Sequence, residues 1–333
     1  MIITKTPFRM SFFGGGTDMP EFFNSHRGAV ISTTFDKYVY VTVRHLPRFF
    51  DYSTELMYSK IEKISKLEEM QHPMVRNAMK MLDMHELHIA YDADLPARTG
   101  LGTSSTFAVG LLNAFYCLKG KYASKHQLAD EAIKLERELC QEAGGWQDQI
   151  AAAFGGLNRI DFKDNGYQIT PIIISPERKK SLNNNLLLFF TGFTRFSAEI
   201  QQSTKQSMAE KEKQLIEMLN LVDDAQDILE NKERDLDDFG RLLDKTWKLK
   251  RQTGSQISSG SIDELYEKGL KAGALGGKLL GAGGGGFLLF YVQPNYQESV
   301  KNALSSLMEV PFEFENSGAR VIYYSPEIYE KKK

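Results

Sequence analysis

The sequence has 333 residues, 42% of them hydrophobic and 25% charged, which are ordinary values for a protein that buries a core in one or two domains. A formal net charge of -2 gives no field that would attract nucleic acid or an anionic membrane, and we expect neither as a partner. Two cysteines are too few for a disulfide framework, and the sequence shows neither a secretory signal nor an apolar run long enough to span a bilayer, so we expect a soluble, cytoplasmic protein.

The first part of the chain alternates between strand-like and helical patterns. Ile2–Thr6 is typical of a strand, and a glycine turn follows at Gly14–Gly16. The β-branched and aromatic residues of Ala29–Val43 predict paired strands, whereas Lys60–Leu82 is predicted to be helical. His85–Ala93 alternates again as a strand does.

Two predicted helices precede a change in composition. Ser105–Leu118 is apolar nearly all round, which indicates a buried helix, and Ser124–Cys140 is amphipathic at helical spacing. The basic, Asn-rich stretch Glu177–Asn185 then predicts a turn at a domain boundary. We therefore expect one domain over residues 1–170 and a second over residues 171–333.

The second predicted domain contains short apolar strands and long charged helices. Leu186–Thr191 and Phe287–Val292 are typical of strands in a sheet that is covered on both faces. Ala209–Lys250 predicts mostly long helix, and its many charges indicate a solvated face. Arg320–Tyr324 predicts a last strand that closes the fold.

The glycine-rich segment LPARTGLGTSS, Leu95–Ser105, combines the features of a phosphate-binding loop. Its glycines let backbone amides approach an anion, and the helix that follows presents free N–H groups to the same anion, beside three hydroxyl side chains. It is not a Walker loop, because no lysine precedes the hydroxyls, and Pro96 and Arg98 break the spacing of a Rossmann fingerprint. A helix cap with a flexible turn is the other interpretation.

Two further glycine-rich segments lie near the two ends of the sequence. TPFRMSFFGGGTD, Thr6–Asp18, ends in an aspartate that could accept hydrogen bonds from sugar hydroxyls or could cap a helix. GALGGKLLGAGGGGF, Gly273–Phe287, carries more glycines around Lys278 than a helix–strand connection needs. A loop whose backbone passes close to a ligand or to another loop explains them better.

These three segments, in this order, resemble the signature motifs of the GHMP kinases, and the resemblance covers essentially the whole chain. It implies an α+β fold with a ribosomal-protein-S5-like N-terminal domain and a ferredoxin-like C-terminal domain. It also implies an ATP-dependent kinase that uses Mg²⁺ and binds ATP and its substrate between the domains. A homodimer is possible.

A fourth stretch, LERELCQEAGGWQDQ, resembles the family segment that carries the metal ligand and the catalytic aspartate. The match implies that Asp148 is the base, that Arg9 or another cation holds it ionised, and that Glu136 and Ser104 bind Mg²⁺. Glu136 could instead be a surface glutamate, and Asp148 could cap a helix that starts at Gln149.

The resemblance also assigns residues to ATP and to the substrate. ATP would contact Pro96, Arg98, Gly100, Leu101, Gly102, Thr103, Ser104, Ser105, Gly283 and Gly284. The substrate would contact Gly15, Thr17, Asp18, Asp148 and Arg195. Arg98 stands where many members of the family carry a small residue, and it could reach a phosphate or pair at the surface.

Within the family, the stretches GGGTD, GGWQDQIAAAFGG and TGFTRFSAEI resemble the D-glycero-D-manno-heptose 7-phosphate kinases. Such enzymes phosphorylate the anomeric C1 hydroxyl to give the 1,7-bisphosphate for nucleotide-activated heptose synthesis. A kinase of a free sugar (fucose- or galactose-like) or of mevalonate, and a non-catalytic sugar and nucleotide sensor, are the alternatives. An NAD-dependent oxidoreductase would need a dinucleotide fingerprint that GGGTD does not supply.

Overall fold

The structure, a computed structural model, describes residues 1–97, 99–164, 166–192, 208–254 and 257–326. Over these ranges the chain forms an α+β fold with two sheets. The elements of the first part of the chain are β1 (Ile2–Phe13), α1 (Pro20–Phe23), β2 (Gly28–His45), β3 (Thr54–Met57), β4 (Ile61–Ile64), α2 (Pro73–Met81), β5 (Leu87–Ala93), α3 (Thr103–Leu118), α4 (Lys125–Lys134), α5 (Gln147–Phe154), β6 (Asn158–Lys163) and β7 (Gly166–Pro171).

The remaining elements build the second sheet, cover it, and return to the first. They are α6 (Pro176–Asn184), β8 (Leu186–Phe190), α7 (Met208–Glu230), α8 (Asp237–Gln252), α9 (Gly260–Lys271), β9 (Gly276–Leu279), β10 (Phe287–Tyr291), α10 (Gln297–Ala303), β11 (Met308–Glu309), β12 (Phe314–Glu315) and β13 (Arg320–Tyr324). None of the helices in the described ranges combines the length and hydropathy that a bilayer span requires.

The first sheet is organised around β2, which pairs with β1, β5, β6 and β12. The antiparallel pairing of β1 with β2 runs from Ile2 opposite Val43 to Phe13 opposite Ile31. Helix α3 packs on β1 and β2, and the Thr4 hydroxyl donates to the Gly110 carbonyl over 2.9 Å. This contact fixes the middle of α3 against the start of β1.

The second sheet has the order β11-β8-β10-β9, and all of its pairings are antiparallel. Helix α8 lies against β9 so closely that a Cβ at Gly276 would come within 2.0 Å of the Gly240 carbonyl oxygen. Trp247 of α8 is fully buried beside Tyr266 of α9, with ring centroids 6.1 Å apart. The first half of α8 is therefore fixed against this sheet by Gly240, and its second half against α9 by Trp247.

Most of the predicted elements are confirmed, and three predictions are wrong. Ala29–Val43 is not a pair of strands, because it lies within the single strand β2. Lys60–Leu82 is not one helix: it forms β4, a 3-10 turn and α2, which begins at Pro73 because proline suits the first helical turn. The predicted turn at Glu177–Asn185 is helix α6, and the Ser175 hydroxyl caps it by accepting from the Arg178 N–H at 3.2 Å.

The last two strands belong to the first sheet. β12 pairs with β2, and β13 pairs with β1 with Lys5 opposite Arg320. The strand predicted at Arg320–Tyr324 is confirmed, and it closes the sheet that the start of the chain begins. Strands from both ends of the sequence thus share one sheet, and the division of the chain at residue 170 stays a prediction.

Candidate active site

A cavity of about 1010 Å³ receives all three glycine-rich segments. Its wall includes Gly15 and Gly16 after β1, Gly100 and Gly102 before α3, and Gly281 after β9. The volume is at the upper end of the range for small-molecule sites. The three sequence motifs therefore form one site.

The segment before α3 has the backbone of an anion-binding loop. Gly100 and Gly102 have φ values of 82° and 77°, a left-handed conformation that glycine adopts without strain. Gly102 is the N-cap of α3 and no side chain caps the helix, so the first N–H groups of α3 are directed at the cavity. A helix of 16 residues adds a positive dipole end at this point.

The third glycine segment packs backbone to backbone against this loop. A Cβ at Gly281 would come within 2.2 Å of the Gly100 Cα, and a Cβ at Gly286 within 2.2 Å of the Thr99 carbonyl oxygen. The glycines around Lys278 are thus needed because two loops meet there. Gly283 and Gly284 contact Ile257, and the wall of the cavity at this point includes Gly281 and Ala282.

Arg9 and Asp148 form a bidentate ion pair in the cavity wall. The Arg9 Nε and Nη2 donate to the two Asp148 oxygens over 2.7 and 2.8 Å, and Nη1 donates to the Gly100 carbonyl over 2.8 Å. A Cβ at Gly102 would lie 3.1 Å from the Asp148 Oδ2. Asp148 therefore lies against the phosphate loop with a counter-charge of its own, and because α5 begins at Gln147 with Trp146 as N-cap, it is not the helix cap.

Asp18 lies in the same wall, almost fully buried. Its Oδ1 accepts from the Gly16 N–H at 2.8 Å and its Oδ2 from the Gln147 N–H at 3.5 Å. Burial, and then the nearby Asp148 charge, raise the pKa of Asp18 above its ordinary value. The N-cap of α1 is Met19, so Asp18 is not the cap of that helix.

Thr17 and Leu101 support the loops from beneath. The Thr17 hydroxyl is fully buried, where it donates to the Gly14 and Ala29 carbonyls over 2.8 and 2.9 Å. Leu101 is also fully buried, and its carbonyl accepts from the Arg9 N–H at 3.4 Å. Because both residues are fully buried, they are placed to stabilise the loops and not to contact a ligand.

A second acidic centre lies beside the first turn of α3. Glu136 is buried in a π-helical turn, Leu135–Leu139, where it accepts from the Gln149 Nε2 at 2.5 Å and lies near the hydroxyls of Ser104 and Ser105. Burial and the Glu142 carboxylate raise the pKa of Glu136 to about 7. Glu136 is therefore not a surface glutamate.

These oxygen donors fit a hard divalent cation. The Ser104 hydroxyl is also near the Glu142 carboxylate, so one hydroxyl has two carboxylates as neighbours. Mg²⁺ is commonly held by one or two carboxylates while phosphate oxygens and water complete its coordination. Within the described residues no group of three or more His, Cys, Asp or Glu side chains is gathered for a metal, so the other ligands would come from nucleotide phosphates and water.

Sequence reasoning missed two buried lysines in the wall. Lys250 of α8 is 9% exposed and donates to the Gly281 carbonyl, and Lys278 of β9 is 1% exposed and donates to the Phe12 carbonyl over 2.7 Å. Burial lowers the pKa of Lys250 to about 8 and the pKa of Lys278 well below its ordinary value. A sequence signal existed, because Lys250 follows the buried Leu243 and Trp247 at helical spacing.

One end of the cavity is aromatic, which the sequence did not indicate. The rings of Tyr58 and Tyr91 are stacked with centroids 5.9 Å apart, and Phe107 lies 4.2 Å from Tyr91. His72 lies 5.6 Å from Phe107, and burial lowers its pKa. These residues come from four separate elements or loops, so only the folded chain brings them together.

The structure brings most of the predicted site residues to this cavity. Those that line it are Arg9, Gly15, Asp18, Gly100, Gly102, Thr103, Ser104, Ser105, Glu136 and Asp148. Pro96 is exposed beside the loop, and its carbonyl accepts from the Thr99 hydroxyl at 2.9 Å. Arg98 and Arg195 lie outside the described residues.

Comparison with known proteins agrees with this arrangement. The family model for the N-terminal domain of GHMP kinases matches residues 69–156, and the model for their C-terminal domain matches residues 225–310. The D-glycero-alpha-D-manno-heptose 7-phosphate kinase of Campylobacter jejuni is 29% identical over 321 residues, which cover 91% of this chain and 93% of that protein. A mevalonate kinase of Pyrococcus horikoshii is 28% identical over 68% of this chain and 65% of its own length.

A solved structure shares the fold. The crystal structure of a D-glycero-D-manno-heptose 1-phosphate kinase from Bacteroides thetaiotaomicron superposes with a TM-score of 0.78 at 23% identity, and covers 99% of this chain and 100% of that chain. The two family models together match more than half of the sequence, in the order that the motifs predict. The chain therefore belongs to the GHMP kinase family and is an ATP-dependent kinase.

Proposed function

We propose that the chain transfers the γ-phosphoryl group of ATP to the anomeric C1 hydroxyl of D-glycero-D-manno-heptose 7-phosphate and forms the 1,7-bisphosphate. The observation that carries the proposal is the Arg9–Asp148 ion pair, which lies between the phosphate loop and the buried Asp18. Similarity to the heptose 7-phosphate kinase over nearly the full length of both proteins supports the choice of substrate.

The loop before α3 binds the phosphates of ATP through backbone N–H groups at Gly102 to Ser105. Ser104 and Glu136, with Glu142 beside them, hold Mg²⁺. When bound, this cation offsets charge on the transferring phosphoryl group. The adenine ring packs against the aromatic end of the cavity, which Tyr58, Tyr91 and Phe107 form.

Asp148 accepts the proton of the attacking hydroxyl. Arg9 fixes both oxygens of this carboxylate, so the side chain stays aimed at the phosphate loop. Asp18 has oxygens that are only partly occupied by the Gly16 and Gln147 N–H groups, and their remaining lone pairs bind sugar hydroxyls.

The phosphate already on the sugar needs a cation, and Arg195 is proposed for this contact, with Arg98 as a second candidate. The Arg195→Ala variant should raise the KM for the sugar phosphate while the kcat changes less. An unchanged KM would remove Arg195 from this role. The homodimer and the cytoplasmic location also stay predictions.

The test is an ADP-release assay with Mg-ATP and a panel of acceptors: heptose 7-phosphate, fucose, galactose, mannose and mevalonate. Selective turnover of heptose 7-phosphate, with a new C1 phosphate in the ³¹P and ¹H NMR spectra of the product, is the expected result. Turnover of a free sugar or of mevalonate alone would keep the kinase and overturn the substrate. ATP binding without any turnover would favour a sugar and nucleotide sensor.

A further inference from the structure

None of the roles proposed above involves Lys250. Its side chain is 9% exposed and lines the cavity, whereas Lys248, two residues earlier on α8, is 62% exposed and pairs with Asp244. The tight contact of α8 with β9 and the buried Trp247 fix this part of the helix. A lysine is rarely buried without a partner or a function.

A chain of contacts places the Lys250 ammonium at the meeting point of the two glycine loops. Its Nζ donates to the Gly281 carbonyl, and Gly281 packs directly on Gly100. The Gly100 carbonyl accepts from Arg9, which binds Asp148. Lys250 thus lies across the phosphate loop from the residue that would receive the acceptor's proton.

The ammonium faces a mixed set of charges. The basic groups on this side of the cavity are Arg9 of β1 and Lys278 of β9, and the acidic groups are Asp18 and Asp148. Lys278 already donates to the Phe12 carbonyl. In the described part of the chain, one of the three Lys250 donors is directed at Gly281, and the other two are available to a ligand in the cavity.

We propose that Lys250 is a catalytic residue that contacts the γ-phosphoryl group of ATP during its transfer. The proposal rests on the kinase function and not on the identity of the acceptor. In the step, the bond from the γ-phosphorus to the β,γ-bridging oxygen breaks and a bond to the acceptor hydroxyl oxygen forms. Asp148 takes the hydroxyl proton, ADP leaves, and Lys250 keeps its proton and donates to the phosphoryl oxygens.

If Lys250 had only a structural role, a neutral hydrogen-bond donor to the Gly281 carbonyl would be sufficient. The proposed catalytic role also requires the positive charge, so neutral and charged substitutions distinguish the two roles. We compare the wild type with Lys250→Met, Lys250→Gln and Lys250→Arg, and use the exposed Lys248→Met as the control. The readouts are kcat, thermal stability, and the Kd values of AMP-PNP and ADP. AMP-PNP carries the third phosphate and ADP lacks it, so their ratio reports the contact without any acceptor.

We expect Lys250→Gln and Lys250→Met to lower kcat by about 10²- to 10³-fold, as removal of one transition-state donor does. Both should bind AMP-PNP about tenfold more weakly relative to ADP, and Lys248→Met should match the wild type. A kcat within twofold of the wild type in folded Lys250→Gln, or an unchanged ratio of the two Kd values, would overturn the proposal.

The pH dependence gives a second readout. Burial, and then the Arg9 charge, lower the pKa of Lys250 to about 8, while Asp18 and Asp148 oppose this shift. In the protein without nucleotide the lysine is therefore charged below about pH 8 and neutral above it, so the wild-type kcat/KM for ATP, which reports ionisations of the free enzyme, should fall above that pH. Lys250→Arg keeps its charge and should retain activity at pH 9 and above relative to its own value at pH 7. If activity fell equally above pH 8 in the wild type and in Lys250→Arg, that result would contradict the proposal.

The two proposals fail in different ways. If the wild type turns over an acceptor other than heptose 7-phosphate, the Lys250 variants are tested with that acceptor, and only the substrate assignment is lost. If heptose 7-phosphate is turned over and the variants keep wild-type kcat and Kd ratios, only the role of Lys250 is lost.

Discussion

Two carboxylates lie against the same phosphate loop, the half-buried Asp148 and the buried Glu136, and their surroundings differ in charge. Asp148 is bound through both oxygens by Arg9, within the protein. Glu136 has the Glu142 carboxylate beside it, and burial and this neighbour raise the pKa of Glu136 to about 7. Asp148 is thus paired with a cationic side chain, whereas Glu136 has an anionic neighbour.

This difference matches the two proposed roles, proton acceptor for Asp148 and metal ligand for Glu136, without reference to sequence similarity. A base must keep its lone pairs aimed at the substrate, which a fixed guanidinium ensures. A metal ligand needs no cationic side chain beside it, because the cation that balances its charge is the Mg²⁺ that arrives with the nucleotide. The following variants break or sharpen the comparison, beginning with the largest expected effect.

Asp148→Asn should lower kcat by about 10²- to 10⁴-fold, because the amide cannot accept the hydroxyl proton. The free energy of unfolding should fall by only about 1–3 kcal/mol, because Arg9 keeps a neutral acceptor in place of the carboxylate. The kcat and the Kd of ATP measured on the same preparation test this, and the Kd should change little. The control is Asp161→Asn, which alters the Arg159–Asp161 ion pair outside the cavity and should keep wild-type kcat. A near-normal kcat in Asp148→Asn would remove Asp148 from the base role.

Glu136→Gln should weaken the apparent affinity for Mg²⁺, in the presence of ATP, by at least about tenfold. In EDTA the same variant should be as stable as the wild type or up to about 1 kcal/mol more stable, because a buried carboxyl without a cationic partner is replaced by a neutral group. Thermal unfolding with and without Mg-ATP measures both effects. Glu138→Gln, on the same turn but exposed, is the matched control. A clear loss of stability in EDTA would show that Glu136 serves the fold and not a cation.

Arg9→Lys should give the smallest effect, a kcat lowered about tenfold, with a loss of about 1–2 kcal/mol in the free energy of unfolding. The ammonium keeps the charge but cannot hold both Asp148 oxygens and the Gly100 carbonyl at once. Arg27→Lys, at the exposed Arg27–Asp223 pair, controls for the substitution itself. If Arg9→Lys equalled Arg27→Lys in kcat, the geometry of the ion pair would not matter to catalysis.

The local motifs were predictable because each carries its chemistry in consecutive residues. The hydroxyls and glycines before α3 indicate an anion loop from sequence alone, and the structure places them at the start of a buried helix. The excess of glycines around Lys278 predicted a close approach of backbone, and the contact between Gly281 and Gly100 is that approach.

The rest of the site depends on tertiary packing. The charges of α8 predict a solvated face, and this is correct for Lys248 but wrong for Lys250. Which lysine enters the cavity depends on which side of the helix packs on the rest of the protein. Glu142 and Tyr58 lie in loops without a pattern. The helix expected over Lys60–Leu82 failed because a β-hairpin uses the same apolar residues and Pro73 restarts the helix later.

The strands near the two ends of the sequence have a consequence for how the protein is made. β13 lies beside β1, and the Ser325 N–H donates to the Met1 carbonyl over 2.8 Å. A ribosome makes β1, with Arg9 on it, long before β13 is available, so the nascent chain carries an unprotected sheet edge during most of its synthesis. Such distant pairing also slows folding. Exposure to chaperones, and to other nascent copies, therefore follows from the topology that positions the Arg9–Asp148 ion pair.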